Sequence, residues 1–142
     1  MVSAVDLLDS ELSLTWVTEL DLIQRALWAG DNDSSLWFYH QYLISNLDHD
    51  HTSHSIAPHL SHDERTTYLL AEFDKVLEML DGAEDCKWIY QALLHVAFLH
   101  SKHAGSLPPA ARDWQVWIDT LIKVDPLRAD RWVDVSDTLK KR

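Results

Sequence analysis

Residues 30–47, GDNDSSLWFYHQYLISNL, decide the fold. A polar run, Asp31 to Ser35, breaks directly into an apolar and aromatic one. Asp33 or Ser34 is a natural N-cap, because a short side-chain oxygen can accept from an amide left open in the first helical turn. Trp37, His40, Leu43 and Leu47 then recur at spacings of three and four, one face of a helix. The pattern returns twice, as DGAEDCKWIYQALL around Trp88 and DPLRADRWVDVSDTL around Trp132. Asp81 lies seven residues before Trp88 and Asp125 seven before Trp132; Gly30 holds that place before Trp37. Each segment follows an amphipathic stretch that ends in a turn. A helix, a short turn and a second helix with an early Trp make one repeat unit.

Outward from this stretch, the spacing predicts a first helix from Asp6 to Ala29. Leu8, Leu12, Trp16, Leu20, Ile23 and Leu27 form its stripe, and Gly30 stops it. The second helix runs from Ser35 to Leu47 and covers only one side of that stripe, so the remainder is expected to stay exposed. Residues 48–60 are a loop. It carries His49, His51, His54 and His59, with His62 just beyond. Imidazoles ligate zinc, nickel and copper, but no pair sits at i,i+4 on a predicted helix and no thiolate lies nearby. A solvated loop without a metal site is the expectation. Ser61 and Glu64 form a capping box that opens a third helix to Leu80, with Tyr68, Phe73, Val76, Leu77 and Leu80 inward and Gly82 at its end.

Asp85 is the expected cap of a fourth helix, through Trp88, Ile89, Ala92, Leu93, Val96 and Leu99. His95 and His100 lie five apart and face different directions; His103 falls past the expected helix end, in a turn region from Ser101 to Pro109. A fifth helix carries Trp114, Trp117, Ile118 and Leu121. Asp125 is expected to cap the sixth, with Trp132, Val133, Ser136 and Leu139 inward. The reading is all-α: one helical-repeat domain over 1–142, in three antiparallel pairs at 6–47, 61–100 and 109–140. No alternating run supports a sheet.

Composition narrows the function. Seven Trp, three Gly and 46% hydrophobic residues describe a packed helical chain rather than a disordered one. A net charge of -11 disfavours nucleic acid and anionic membranes; solubility is its ordinary reading, and a basic partner the sharper one. The single Cys86 excludes an intrachain disulfide and fits a reducing, cytoplasmic setting. No basic segment precedes an apolar core near Met1, and no run approaches the ~18 apolar residues of a spanning helix. Glycine-rich phosphate loops, HExxH, Gly-x-Ser-x-Gly and cysteine zinc sets are all missing from the sequence. The carboxylate pairs Asp31/Asp33 and Glu84/Asp85 fall in predicted turns, where capping explains them.

The turn followed by Trp, then aromatic or basic residues and a leucine, resembles the repeat of protein prenyltransferase alpha subunits. Among these, the alpha subunits of Rab geranylgeranyltransferases of the fungal kind are the nearest in pattern. Asn32 to Leu43 resembles their Trp-bearing helix. Ser55-Ile56-Ala57-Pro58, with Leu60-Ser61 and Glu64-Arg65, resembles their long inter-repeat loop. Lys87-Trp88 and Val124-Asp125-Pro126-Leu127-Arg128-Ala129 resemble their last two repeats. Gly30-Asp31 departs from the usual Asp-Pro, and Gln41 stands where the repeat often has Arg.

The resemblance implies a right-handed alpha-alpha superhelix of antiparallel helix pairs, and a chain corresponding to the C-terminal part of a longer subunit. It implies that the zinc and the lipid pocket belong to a beta subunit, that this chain carries no cofactor, and that Rab proteins arrive on the Rab escort protein. Trp37, Trp88 and Trp132 are then repeat anchors. Tyr39, His40, Tyr42 and Lys87 are candidates for beta-subunit contact, and no residue is catalytic or metal-binding. Alone, the chain is expected to transfer no prenyl group and to bind the beta subunit weakly or not at all. Two other readings stay open: a helical-repeat scaffold for another protein, and an alpha subunit of farnesyltransferase or type I geranylgeranyltransferase. The Trp-centred unit lacks the small-residue pattern of tetratricopeptide arrays, and the Ser-Ile-Ala-Pro loop favours the Rab enzyme.

Overall fold

A computed structural model describes residues 4–30, 33–48 and 60–141. Among these residues the chain is all-helical: α1 (Ala4–Ala29), α2 (Ser34–Ser45), α3 (His62–Met79), α4 (Lys87–Ala104), α5 (Trp114–Val124) and α6 (Ala129–Lys140). Short 3₁₀ turns, Pro109–Asp113 and Pro126–Arg128, lead into α5 and α6. The chain divides into two compact units, residues 1–68 and 69–142, with the division inside α3.

In the first unit, α1 packs against α2. Two hydrogen bonds fix their direction. The Trp16 indole N–H donates to the Leu43 carbonyl (2.8 Å), and the Tyr39 hydroxyl donates to Glu19 Oε2 (2.9 Å). Later positions on α1 meet earlier positions on α2, so the two run antiparallel. Trp16, Leu20, Ile23 and Leu27 are buried, and so are Trp37, Leu43, Ile44 and Leu47. This corrects the expectation of an uncovered stripe on α1. From Trp16 onward that stripe is interior; the side chains of Leu8 and Leu12 lie outside those described.

The start of α2 is capped by Asp33, whose carboxylate accepts from the Ser35 N–H (2.9 Å). Its other end has no glycine to adopt a left-handed cap; Asn46 stays right-handed at φ -66°. The Asn46, Leu47 and Asp48 N–H groups close tight backbone bonds on Leu43, Ile44 and Ser45, and side chains add to them. Trp16 donates to Leu43, Asn46 Nδ2 to Tyr42 (2.9 Å), and Arg65 Nη1 to Asn46 (2.8 Å). The histidines at 49, 51, 54 and 59 lie outside the described residues, and His62 is exposed at the start of α3.

The capping box forms in both directions. The Ser61 N–H donates to Glu64 Oε1 (3.2 Å), and the Glu64 N–H donates to Ser61 Oγ (3.1 Å). Ser61→Ala is expected to cost about 1 kcal/mol. Urea titration checks this: the midpoint falls with an unchanged slope, whereas an unmoved midpoint would remove the box from the stability of α3.

In the second unit, Leu69, Phe73, Val76 and Met79 of α3 are buried, as are Ile89, Leu93, Val96, Trp117, Ile118, Leu121, Trp132 and Leu139. The turn after α3 uses Gly82 at φ 85°, a left-handed conformation that an L side chain rarely adopts. The Gly82 N–H donates to Glu84 Oε1 (3.1 Å), and this bond, with one from the Glu84 N–H, holds that carboxyl below its usual range. Asp85 does not cap α4. The turn closed by the Cys86 N–H on the Ala83 carbonyl (3.0 Å) places Cys86 in the extended cap position, without a side-chain cap bond.

The fourth helix also runs beyond the expected turn at Ser101. Nothing in Ser101–Ala104 breaks it, and the first residue able to turn left-handed is Gly105, at φ 84°. His103 is therefore inside the helix and buried. Asp125 supplies no cap bond to the turn that follows it. Val133, expected on the inner stripe of α6, is 46% exposed, while Trp132, Ser136 and Leu139 are buried. The packing of α5 against both α4 and α6 selects the face of α6 that turns inward.

Candidate functional site: an aromatic face on α2

Helix α2 carries apolar residues on two sides. Trp37, His40, Leu43 and Ile44 are buried, with the Trp37 and His40 rings in T-shaped contact (5.5 Å, 73°). Phe38, Tyr39 and Tyr42 form a second stripe and are exposed by 59%, 38% and 49%. A surface helix ordinarily has one apolar face; α2 has a second, exposed stripe of aromatic residues. The Tyr39 and Tyr42 rings lie 6.0 Å apart at 31°. Desolvation and the hydrogen bond to Glu19, with negative charge beside it, push the Tyr39 phenol above its ordinary value.

The four sequence candidates for partner contact separate here. Tyr39 and Tyr42 stand on the exposed stripe of α2. His40 does not; at 1% exposure it is a core residue of the first unit, because the inner stripe of α2 repeats through it. Lys87 belongs to the second unit, where its ammonium lies 5.0 Å from the Trp88 ring centroid and 4.0 Å from Asp125 Oδ1. Arg128 approaches the same carboxylate, Nε to Oδ2, at 3.9 Å. Asp125 is buried, and these two cations take the place of the capping role read from sequence.

The three repeat tryptophans are not equivalent. Trp37 and Trp132 are buried, whereas Trp88 is half-buried under the Lys87 side chain. The repeat position alone thus does not set the burial of its tryptophan. Sequence reading missed Phe38, although it named the neighbouring Tyr39 and Tyr42. The signal was present: 35, 38, 39 and 42 also follow helical spacing.

Among the described residues, no three His, Cys, Asp or Glu side chains group so as to hold a metal ion. No helix of the described residues is long and apolar enough to cross a membrane. The geometry on α2 is suited to recognition: rigid rings with two rotatable bonds each, a hydroxyl and a carboxylate at their edge.

Among the described residues the chain is all-helical, and α2 carries an exposed aromatic stripe opposite its buried one. No family model matches the chain. Over 126 residues it is 28% identical to the geranylgeranyl transferase type-2 subunit alpha of Schizosaccharomyces pombe, a match covering 85% of this chain and 36% of that protein. The chain thus spans a little over a third of the length of this curated relative.

Proposed function

We propose that this chain is part of the alpha subunit of a Rab geranylgeranyltransferase, its C-terminal part, in a form like that of fungi. It supports a beta subunit in moving a geranylgeranyl group from geranylgeranyl diphosphate to C-terminal cysteines of Rab proteins. The observation that carries this reading is the similarity to the type-2 alpha subunit along most of the chain. The Trp-bearing units at 37, 88 and 132 and the helical fold agree with it. In this reading the helices form a right-handed array of antiparallel pairs, the beta subunit holds the zinc, and the Rab protein arrives on its escort. Tyr39 and Tyr42, with Phe38, face the beta subunit in the cytoplasm. This chain contributes shape and contact, and no reacting group.

The test is lipid incorporation into an escort-bound Rab protein from geranylgeranyl diphosphate. The 142-residue chain alone is expected to incorporate none. With beta subunit added, turnover stays far below that of the complete enzyme, because most of the alpha subunit is missing. Turnover by the chain alone would overturn the assignment of the chemistry to the beta subunit.

A further inference from the structure

Charge is distributed unevenly along this chain. Residues 1–68 hold eleven Asp and Glu against two Lys and Arg, a net of -9; residues 69–142 hold twelve against ten, a net of -2. Both cations of the first unit are already engaged. Arg65 is buried, and Arg25 is ion-paired with Asp21 at 3.0 Å. The unit that presents the aromatic stripe is therefore the more acidic of the two by sequence.

We infer that the Phe38–Tyr39–Tyr42 face of α2, with Glu19, docks a basic amphipathic helix of a partner polypeptide, Arg-bearing on the side that meets the tyrosines. A guanidinium stacks on a tyrosine face and pairs with a carboxylate at the ring's edge, and the hydrogen bond from Tyr39 to Glu19 sets both groups together. The spacing fits. The Tyr39 and Tyr42 ring centroids are 6.0 Å apart, which matches the ~6 Å axial separation of cations at i,i+4 on a partner helix. An acidic partner meets like charge from a unit at net -9. A purely apolar one leaves Glu19 to be buried without a cation, which is costly.

This inference rests on the reading of α2 as a partner-facing helix and names the chemistry of what it faces. Its test needs no beta subunit. A fluorescent helical peptide of Arg, Leu and Ala, with Arg at i,i+4, is titrated with the 142-residue chain, and anisotropy is read at low and high salt. Saturable binding that weakens with salt is expected. Tyr39→Ser with Tyr42→Ser should weaken it about tenfold, the loss of two cation–π contacts. Glu19→Gln should weaken it and flatten its salt dependence. Tyr39→Leu with Tyr42→Leu keeps apolar area and removes the rings' charge attraction, so it should lose affinity as well; it serves as the folded comparison if the Ser variant loses its helical circular dichroism.

No binding of the Arg peptide overturns the inference, as does equal binding of a Glu-for-Arg peptide. Unchanged affinity in both tyrosine variants also overturns it, by showing unspecific charge attraction. Peptide binding together with a failed lipid-transfer reading would refute the prenyltransferase assignment and leave this face standing. The reverse outcome would refute the face alone.

Discussion

Replacing Trp16 with Ala is expected to lower the unfolding free energy by about 3–5 kcal/mol, the range for truncating a buried aromatic. Trp16 is fully buried between α1 and α2, and its ring meets Tyr68 edge-on at 5.1 Å and 82°. It also does what a glycine does at other helix ends. The indole N–H satisfies the Leu43 carbonyl in the last turn of α2, a turn that no left-handed residue closes. Two variants separate these roles. Trp16→Ala opens a cavity and leaves the Leu43 carbonyl with only the longer bond from the Asn46 N–H (3.2 Å). Trp16→Phe keeps most of the apolar volume and removes only the donor, at a cost of about 1–2 kcal/mol. Denaturant titration of both variants is the check. An Ala variant within experimental error of wild type would show that α1 and α2 do not depend on this contact.

Arg65→Ala is the second large effect, about 3 kcal/mol from two charge-assisted hydrogen bonds. Arg65 is buried; Nη1 donates to the Asn46 carbonyl (2.8 Å) and Nε to the Leu60 carbonyl (3.1 Å). It ties the segments on either side of residues 49–59 and places positive charge at the C-terminal end of α2, where the helix dipole favours it. Burial pushes the guanidinium below its ordinary value, and the carboxylates of Asp48 and Glu64 act against that shift. The group remains charged at neutral pH. Lys is not a substitute, because an ammonium on a flexible stem does not present two donors in a fixed fork. Arg65→Lys should therefore recover less than half of the loss. Full recovery by Lys would show that charge alone matters and that the two bonds contribute little.

These two residues also show where the sequence is readable and where it stops being so. Trp16 was legible, because its helical neighbours at 20, 23 and 27 share the stripe. The capping box at 61–64 was legible too, since both partners sit within one turn and need no tertiary help. Arg65, one residue on, was invisible: a hydropathy pattern counts it as surface, and only the meeting of the α2 end with the α3 start makes it interior. Glu72, buried on α3, is likewise a charged residue that a hydropathy pattern counts as surface. The end of α4 was misplaced because Ser101 to Ala104 contains no breaker, so its limit is set by Gly105 and not by the polar character of the segment.

The candidate site was half legible. Tyr39 and Tyr42 were found beside Trp37, and so was His40, which the structure turns inward. A helix with apolar residues on both sides does not reveal which side packs on its own chain. Contact with α1 decides it, and the Tyr39 bond to Glu19 marks the border between the two faces. Asp125 was singled out from its place seven residues before Trp132. Its partners are nonetheless tertiary: Lys87, the residue before the preceding repeat tryptophan, and Arg128. A carboxylate that opens one Trp unit thus pairs with the cation that precedes the tryptophan of the unit before it. Gly30 and Leu36 in the first unit have no charges with which to repeat that pairing.

The most direct measurement replaces the matching segment of the Schizosaccharomyces pombe type-2 alpha subunit, 36% of that protein, with this chain. The chimera is co-expressed with the cognate beta subunit, and heterodimer formation and geranylgeranyl transfer to escort-bound Rab are measured together. The account predicts a heterodimer that transfers lipid, and a weaker one when Tyr39 and Tyr42 are changed to Ser. A chimera that is helical by circular dichroism, yet neither binds the beta subunit nor supports transfer, would contradict it.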